Sequence, residues 1–498
     1  MKEQDGLIEE LLAYAKFHLH CDELDLFYLR NRLKEVLNVD IFAKQIDTEW
    51  IASMKTPDLL IDKIRKHKIN VGEEIDEAAI AGILGMMTPP PSVVAERIRE
   101  LEEKESESGL EYLYDLCVKN DYIRSSAIEK NRFFSQKLRG KTMEIEINLS
   151  KPEKNGRESR KEKQNEYPKC PLCLENIGYS GDGKQPSRAN LRVFPIRFDE
   201  EEWFVQYSPY SYFSHHLIVI SKEHREMVID ARTFRNLLIF TDRFPSYFVG
   251  SNADLPIVGG SIPTHRHYQG GTHFLPIFAA KDREVYYRDN RVKISSLEWD
   301  CTILKIQGEK SQVLRFSERI LEVWKNFDEE SIGLLSHTDR KRHNAISPIA
   351  RKENDGYAMF LILKNNRCDE NFPEGIFHAH REYHHVKSEG IGLIESAGLF
   401  ILPPRLTEVI KLLEEILSDE SKKERVYSAY PALRIYDKRI GSRQKKTMVL
   451  QPTEIEKQVQ KLICESCAEI LKNTAVFKDD RDGRRALNRF MQEVLRES

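Results

Sequence analysis

At Cys170 the hydrophobic pattern of this chain changes from a helical period to short β-branched and aromatic runs. That change requires a fold with helical ends around a strand-rich middle. Before it, Leu7, Ile8, Leu11, Leu12 and Ala15 recur on one helix face, and Leu24, Phe27, Leu29, Leu33 and Leu37 predict a second helix. Thr88-Pro-Pro-Pro-Ser92 breaks the chain, with Ser92 placed to cap a charged helix over 93–104. Residues 142–148 alternate like a strand, and the charged segment 151–164 reads as a solvated linker. Beyond Cys170, strands are predicted over 191–198, 203–210, 217–220, 264–278, 358–363 and 375–385, with a helix over 234–248. Helical patterns return over 406–417, 454–471 and 484–495. The expected class is α+β.

The 498 residues are enough for two or more domains. The 77 basic and 80 acidic side chains leave a formal charge of -3, which argues against a general nucleic-acid binder. No run of about twenty apolar residues occurs, so no membrane span is expected. The first residues carry acids where an export signal needs basic residues and an apolar stretch, which predicts a cytoplasmic protein. Eight cysteines, at 21, 117, 170, 173, 301, 368, 464 and 467, therefore read as thiols or metal ligands rather than a disulfide framework.

The chemistry concentrates in Thr264-His-Arg-His-Tyr-Gln269. Alternation along a strand places positions 265, 267 and 269 on one face, two imidazoles and an amide together, beside Gly259, Gly260, Gly270 and Gly271. A neutral imidazole is a competent nucleophile towards phosphorus, and a glutamine amide can hold a phosphoryl oxygen without titrating. The spacing alone equally permits a metal-binding or structural pair of histidines. The run is echoed about 110 residues later by His378-Ala-His380-Arg-Glu382, as an internal duplication with one degenerate copy would leave.

The surrounding residues decide between these readings. Gly250-Ser-Asn-Ala-Asp-Leu-Pro-Ile-Val-Gly-Gly-Ser261 followed by His265-x-His-x-Gln-Gly-Gly271 resembles the active-site signature of the galactose-1-phosphate uridylyltransferases. The likeness is to their second, mainly bacterial type, within the histidine-triad superfamily. It continues through Ile147-Asn-Leu-Ser-Lys-Pro-Glu153, Cys170-Pro-Leu-Cys-Leu-Glu-Asn176 and Gln206-Tyr-Ser-Pro-Tyr-Ser-Tyr-Phe213. Downstream it includes His343-Asn-Ala-Ile-Ser-Pro-Ile-Ala-Arg351 and Phe377-His-Ala-His-Arg-Glu-Tyr-His-His-Val-Lys387, leading to Ile391-Gly-Leu-Ile-Glu395.

The resemblance implies a duplicated histidine-triad-like antiparallel sheet. It divides the chain into a helical region with a short strand and charged linker (1–165), an active half (166–300), a degenerate half (301–402) and a helical C-terminal region (403–498). It implies ping-pong uridylyl transfer between UDP-glucose and galactose 1-phosphate, with His267 as nucleophile and Gln269 on the phosphoryl oxygens. Asn252 and Ser261 fall where related enzymes contact substrate phosphates. No organic cofactor is implied, and a homodimer is a family expectation. The family's second type usually reads Ser-His-Asp-His-Phe-Gln, so Arg266 here replaces an acid; strand alternation points it away from His267.

Cys170-Pro-Leu-Cys173 has zinc-knuckle spacing, and His224 and His265 are available to complete a Cys2His2 set that would brace the histidine strand. The related first type binds zinc with a comparable set; the alternative is that one or both cysteines are buried thiols. His378, His380, His384 and His385, with Glu284, offer a second metal site or, as the preferred reading, line the vestigial half. Cys464 and Cys467 read as helix packing. The rival functions are a histidine-triad nucleotide hydrolase or phosphorylase and a non-catalytic sugar-nucleotide sensor.

Overall fold

The computed structural model describes residues 6–38, 46–70, 76–150, 167–260, 262–354, 356–441 and 451–496, so the predicted linker at 151–164 lies outside the described residues. The chain divides into two units: Met1–Lys130 with Ser159–Arg225, and Asn131–Glu158 with Glu226–Ser498. Both mix helices with antiparallel strands, the α+β class that the sequence predicts.

In the first unit, Leu7–His18 buries Leu7, Ile8, Leu11 and Leu12, the stripe that the period marks. Glu23–Leu37 buries Leu29, Leu33 and Leu37, whereas Leu24 and Phe27 face solvent. The helix Glu77–Met87 starts at Asp76, whose carboxylate accepts from the Ala79 N–H at 2.8 Å. At its other end the last carbonyls have no partner within the helix, and a buried guanidinium supplies one: Arg192 Nη2 donates to Gly85 O at 2.9 Å and to Thr88 O at 2.8 Å. The next helix is Pro91–Glu102, with Pro90 rather than Ser92 at the cap position, because a proline at the first turn sacrifices only an N–H that had no partner there. Three antiparallel strands follow, Phe194–Phe198, Glu201–Tyr207 and Leu217–Ser221. Phe194, Ile196 and Phe198 turn inward while Pro195 and Arg197 turn out.

The second unit contains an antiparallel sheet in the order His267–Gly271, Phe248–Gly250, Asn344–Glu353, Gly356–Asn365, Ile303–Gly308, Val292–Leu297 and Asp282–Arg288. The helix Ala231–Arg243 packs on this sheet through Phe234, Leu237, Leu238 and Phe240, each burial contributing about 1.5–3 kcal/mol before entropy. Asp230 and Thr233 form a reciprocal capping box at its start. The helix Lys310–Asn326 lies against the same sheet. A separate hairpin, Arg132–Leu138 with Lys141–Ile147, is extended in parallel by Leu399–Leu402 and covered by the helix Pro452–Thr474. Cys464 and Cys467 are buried on that helix, as packing requires.

Duplication is visible in the succession of elements rather than in the histidine echo. Three strands, a helix and two strands end at His267–Gly271; the same succession, with a short hairpin inserted, runs again from Asp282 and ends at Gly356–Asn365. The echo at 378–380 comes after the second run, in a loop. Residues 375–385, predicted as a strand, contain only a short 3-10 turn at Arg381–Tyr383. The left-handed Gly375 (φ 121°) and the Tyr383 N–H bond to His380 O fold this segment on itself. No single helix among the described residues is long and apolar enough to cross a membrane.

Candidate active site and metal centre

The strand carrying the histidines is shorter than 264–278. It begins at His267, and the carbonyl of His265 just before it accepts a hydrogen bond from the His267 ring at Nδ1, 2.7 Å away. It ends at Gly271, and Pro276–Ala279 then forms a 3-10 turn. The backbone N–H of His267 donates to Met227 Sδ at 3.3 Å. With Nδ1 carrying the proton, the lone pair of the ring sits on Nε2. Burial pushes the His267 ring down to about 4, against the hydrogen bond to the His265 carbonyl, which favours the charged form, so the ring is neutral near pH 7.

The pleat sorts the remaining side chains. Arg266 and Tyr268 point to the helix Ala231–Arg243: Arg266 Nη2 donates to Asp230 Oδ1 at 2.9 Å, and Asn236 Nδ2 donates to Tyr268 Oη at 3.2 Å. His267 and Gln269 take the opposite face, and the backbone of Gln269 pairs with Gly250.

From Gly250 the chain continues into the loop that holds Asn252. Ala253 and Gly259 form an isolated parallel bridge, and Ala253, Val258 and Ala345 close a small apolar cluster beneath it. A Cβ on Gly259 would stand 2.5 Å from Ala253 O, a backbone atom, so that position needs glycine for close approach; one on Gly260 would stand 2.8 Å from Asn252 Nδ2, the end of a side chain. Asn252 Oδ1 accepts from the Leu393 N–H at 2.8 Å, a contact that no sequence pattern signals. Ser261 lies outside the described residues.

In the first unit, Cys170, Cys173 and His224 converge. The two Sγ atoms are 3.5 Å apart and Cys173 Sγ is 3.1 Å from His224 Nδ1; all three ligand atoms lie within 4.8 Å of one another. Tetrahedral zinc with bonds of about 2.3 Å to sulfur needs sulfurs about 3.8 Å apart, so this donor set fits the ion. The Leu172 N–H points at Cys170 Sγ, 3.4 Å away, and Asn176 Nδ2 donates to the carbonyls of Cys170 and Cys173 at 2.8 and 2.9 Å. Asn176 thus clamps the turn; its signal in the sequence is its position three residues past the second cysteine. His265, the fourth expected ligand, is fully buried in the second unit.

A model of the N-terminal domain of galactose-1-phosphate uridyl transferase matches residues 21–226. Over nearly the whole chain, the sequence is similar to galactose-1-phosphate uridylyltransferases of Fusobacterium nucleatum (34% identity, 98% of each chain), Clostridium acetobutylicum (36%, 97% of this chain and 98% of that one) and Bacillus subtilis (35%, 98% and 97%). The chain belongs to the galactose-1-phosphate uridylyltransferase family. Members of this family are nucleotidyltransferases, and the chain is an enzyme of that class. Among solved structures, yeast Ap4A phosphorylase is similar at 7% identity and a TM-score of 0.32, over 64% of this chain and 92% of that one.

Within this uridylyltransferase the second histidine group does not form a metal site among the described residues. Each ring is engaged locally: His378 Nδ1 lies 3.3 Å from Ala379 O, and His380 Nε2 lies 3.2 Å from Ile376 O. His384 Nε2 lies 3.0 Å from Ala379 O, and His385 Nε2 lies 2.8 Å from the Tyr436 hydroxyl. Glu284 is exposed on the strand Asp282–Arg288 and accepts from Tyr286 at 3.3 Å.

Proposed function

We propose that this uridylyltransferase works by double displacement through His267, exchanging UDP-glucose and galactose 1-phosphate for glucose 1-phosphate and UDP-galactose. The observation that carries the reading is the 2.7 Å contact between His267 Nδ1 and the His265 carbonyl. It fixes the tautomer and leaves Nε2 as the attacking atom. In the first half-reaction an Nε2–phosphorus bond forms at the α-phosphate of UDP-glucose as the bond to the bridging oxygen breaks, and glucose 1-phosphate leaves. In the second, a phosphate oxygen of galactose 1-phosphate attacks the same phosphorus and the bond to nitrogen breaks. Gln269 and Asn252 offer amide N–H groups to the non-bridging oxygens, with Ser261 assigned to the same task by its place in the motif.

Cys170, Cys173 and His224 are proposed to hold a structural zinc ion, which on binding would tie the Cys-x-x-Cys turn to the segment that carries His224. The family membership further supports a cytoplasmic protein acting as a homodimer, without a nucleic-acid or membrane partner.

Intact mass after addition of UDP-glucose tests the mechanism. A uridylyl adduct is expected on the native chain and not on H267A; an adduct on H267A overturns the assignment. Rapid loss of the native adduct to water without an acceptor favours a hydrolase, and absence of glucose 1-phosphate exchange favours a sensor.

A further inference from the structure

Lys364 is a cation in an unusual place. It sits near the end of the strand Gly356–Asn365 with 4% of its surface exposed. Among the described residues no carboxylate accepts from it. Its Nζ donates to the Ile391 carbonyl at 2.6 Å and to Ser396 Oγ at 2.8 Å. Glu395, whose charge acts on Lys364, is committed elsewhere, taking Lys387 Nζ on Oε1 at 2.8 Å and the Gly392 N–H on Oε2 at 3.1 Å. Burial accordingly holds the Lys364 ammonium down to about 8. A buried ammonium is costly, and apolar residues of similar volume usually serve packing better.

What the ammonium fixes is the turn over residues 390–396. Ser396 Oγ, while accepting from Lys364, donates to the Gly392 carbonyl at 2.7 Å, and Trp299 Nε1 holds the Ser396 carbonyl at 2.9 Å. The residue after Gly392 is Leu393, whose N–H donates to Asn252 Oδ1. That bond settles which way the Asn252 amide faces. With Oδ1 occupied, Nδ2 is turned towards Gly260.

We propose that Lys364 is a positioning residue for phosphate recognition: it locks the 390–396 turn, and through Leu393 that turn aims the Asn252 amide. The inference rests on the assignment of Asn252 to the substrate phosphates made above. It gives the second run of strands a task in the reaction, since Lys364 lies on that run's last strand and Asn252 precedes the last strand of the first.

A double-mutant cycle on the full-length enzyme tests it, using kcat/KM for UDP-glucose with N252A, K364M and the pair. K364M keeps the length of the side chain and removes its donors. A loss of about tenfold is expected in the native background, the scale of a hydrogen bond to a charged group. In the N252A background the further loss should be less than about twofold, because the two residues act through one link. S396A breaks the same link with a smaller deletion and should show the same non-additivity should K364M fail to fold. Equal losses in both backgrounds overturn the proposal at Lys364 alone. A native rate for N252A overturns it at its base, by removing Asn252 from the site, while leaving the His267 adduct as a separate measure of the mechanism.

Discussion

Arg266 and Asp230 form an ion pair of 2.9 Å on the face of the strand opposite His267, tying the residue beside the nucleophile to the cap of the helix Ala231–Arg243. Thr233 Oγ1, 3.2 Å from the same guanidinium nitrogen, belongs to that cap. Arg266 therefore acts on the seating of strand against helix. R266M is expected to lose about 1–3 kcal/mol of stability, discounted because Asp230 is partly exposed. R266D should cost more here by setting two carboxylates together. Thermal unfolding of both variants checks the order, and a lower Tm for R266M than for R266D would refute it. The uridylyl adduct of folded R266M should still form.

What was legible in the sequence depended on how local its cause is. The helix period of 7–18 and the alternation at Phe194, Ile196 and Phe198 are set by neighbours in the chain, and they match the structure. The orientation of Arg266 followed from the pleat alone. The strand over 375–385 did not materialise, because its composition suits a ladder but Gly375 and local carbonyl bonds draw it into turns. The strands at Asp282–Arg288, Val292–Leu297 and Ile303–Gly308 lie outside the predicted ones, the first being exposed along much of its length and so lacking a clean alternation. Contacts between residues distant in sequence, such as Leu393 with Asn252, leave no periodic trace at all.

The Cys-x-x-Cys turn gives a metal prediction with two readouts. The purified enzyme should contain about one zinc per chain, and C173S should lose it together with part of its thermal stability. Asn176 is not a ligand, yet it holds both cysteine carbonyls. N176A should therefore weaken zinc binding by about 10–100-fold in competition with a chelator, the range for outer-shell partners. Full zinc occupancy in C173S would exclude the site.

Glu146 provides a pH test remote from the chemistry. It is buried, it accepts from Asn131 Nδ2 at 2.8 Å and Asn148 Nδ2 at 2.9 Å, and burial raises its carboxyl from 4.5 to about 7. Because the folded value is the higher one, the folded chain retains a proton that the unfolded chain has released. This contribution to stability is complete below 4.5 and is lost as pH rises through about 7. E146Q keeps the acceptor oxygen without the charge. It should be more stable than the native enzyme at pH 8, by about 1–3 kcal/mol, and the gap should close towards pH 5. A gap that is constant with pH would refute the assignment.

Two glycines should respond in opposite ways to the same methyl group. Gly259 has no room: its Cβ would meet Ala253 O at 2.5 Å and Leu255 O at 2.6 Å, both backbone atoms that cannot swing aside. G259A must shift the loop that carries Asn252, so kcat/KM for UDP-glucose should fall at least about tenfold, equivalent to about 1.4 kcal/mol. Gly82 lies inside the helix Glu77–Met87, and a Cβ there would meet nothing within 4 Å. G82A should raise stability by about 0.5–1 kcal/mol, through better helix propensity and a less flexible unfolded chain, and leave turnover unchanged. The pair separates geometry at the site from a general intolerance of substitution: native turnover in G259A would mean that the bridge between Ala253 and Gly259 does not position Asn252.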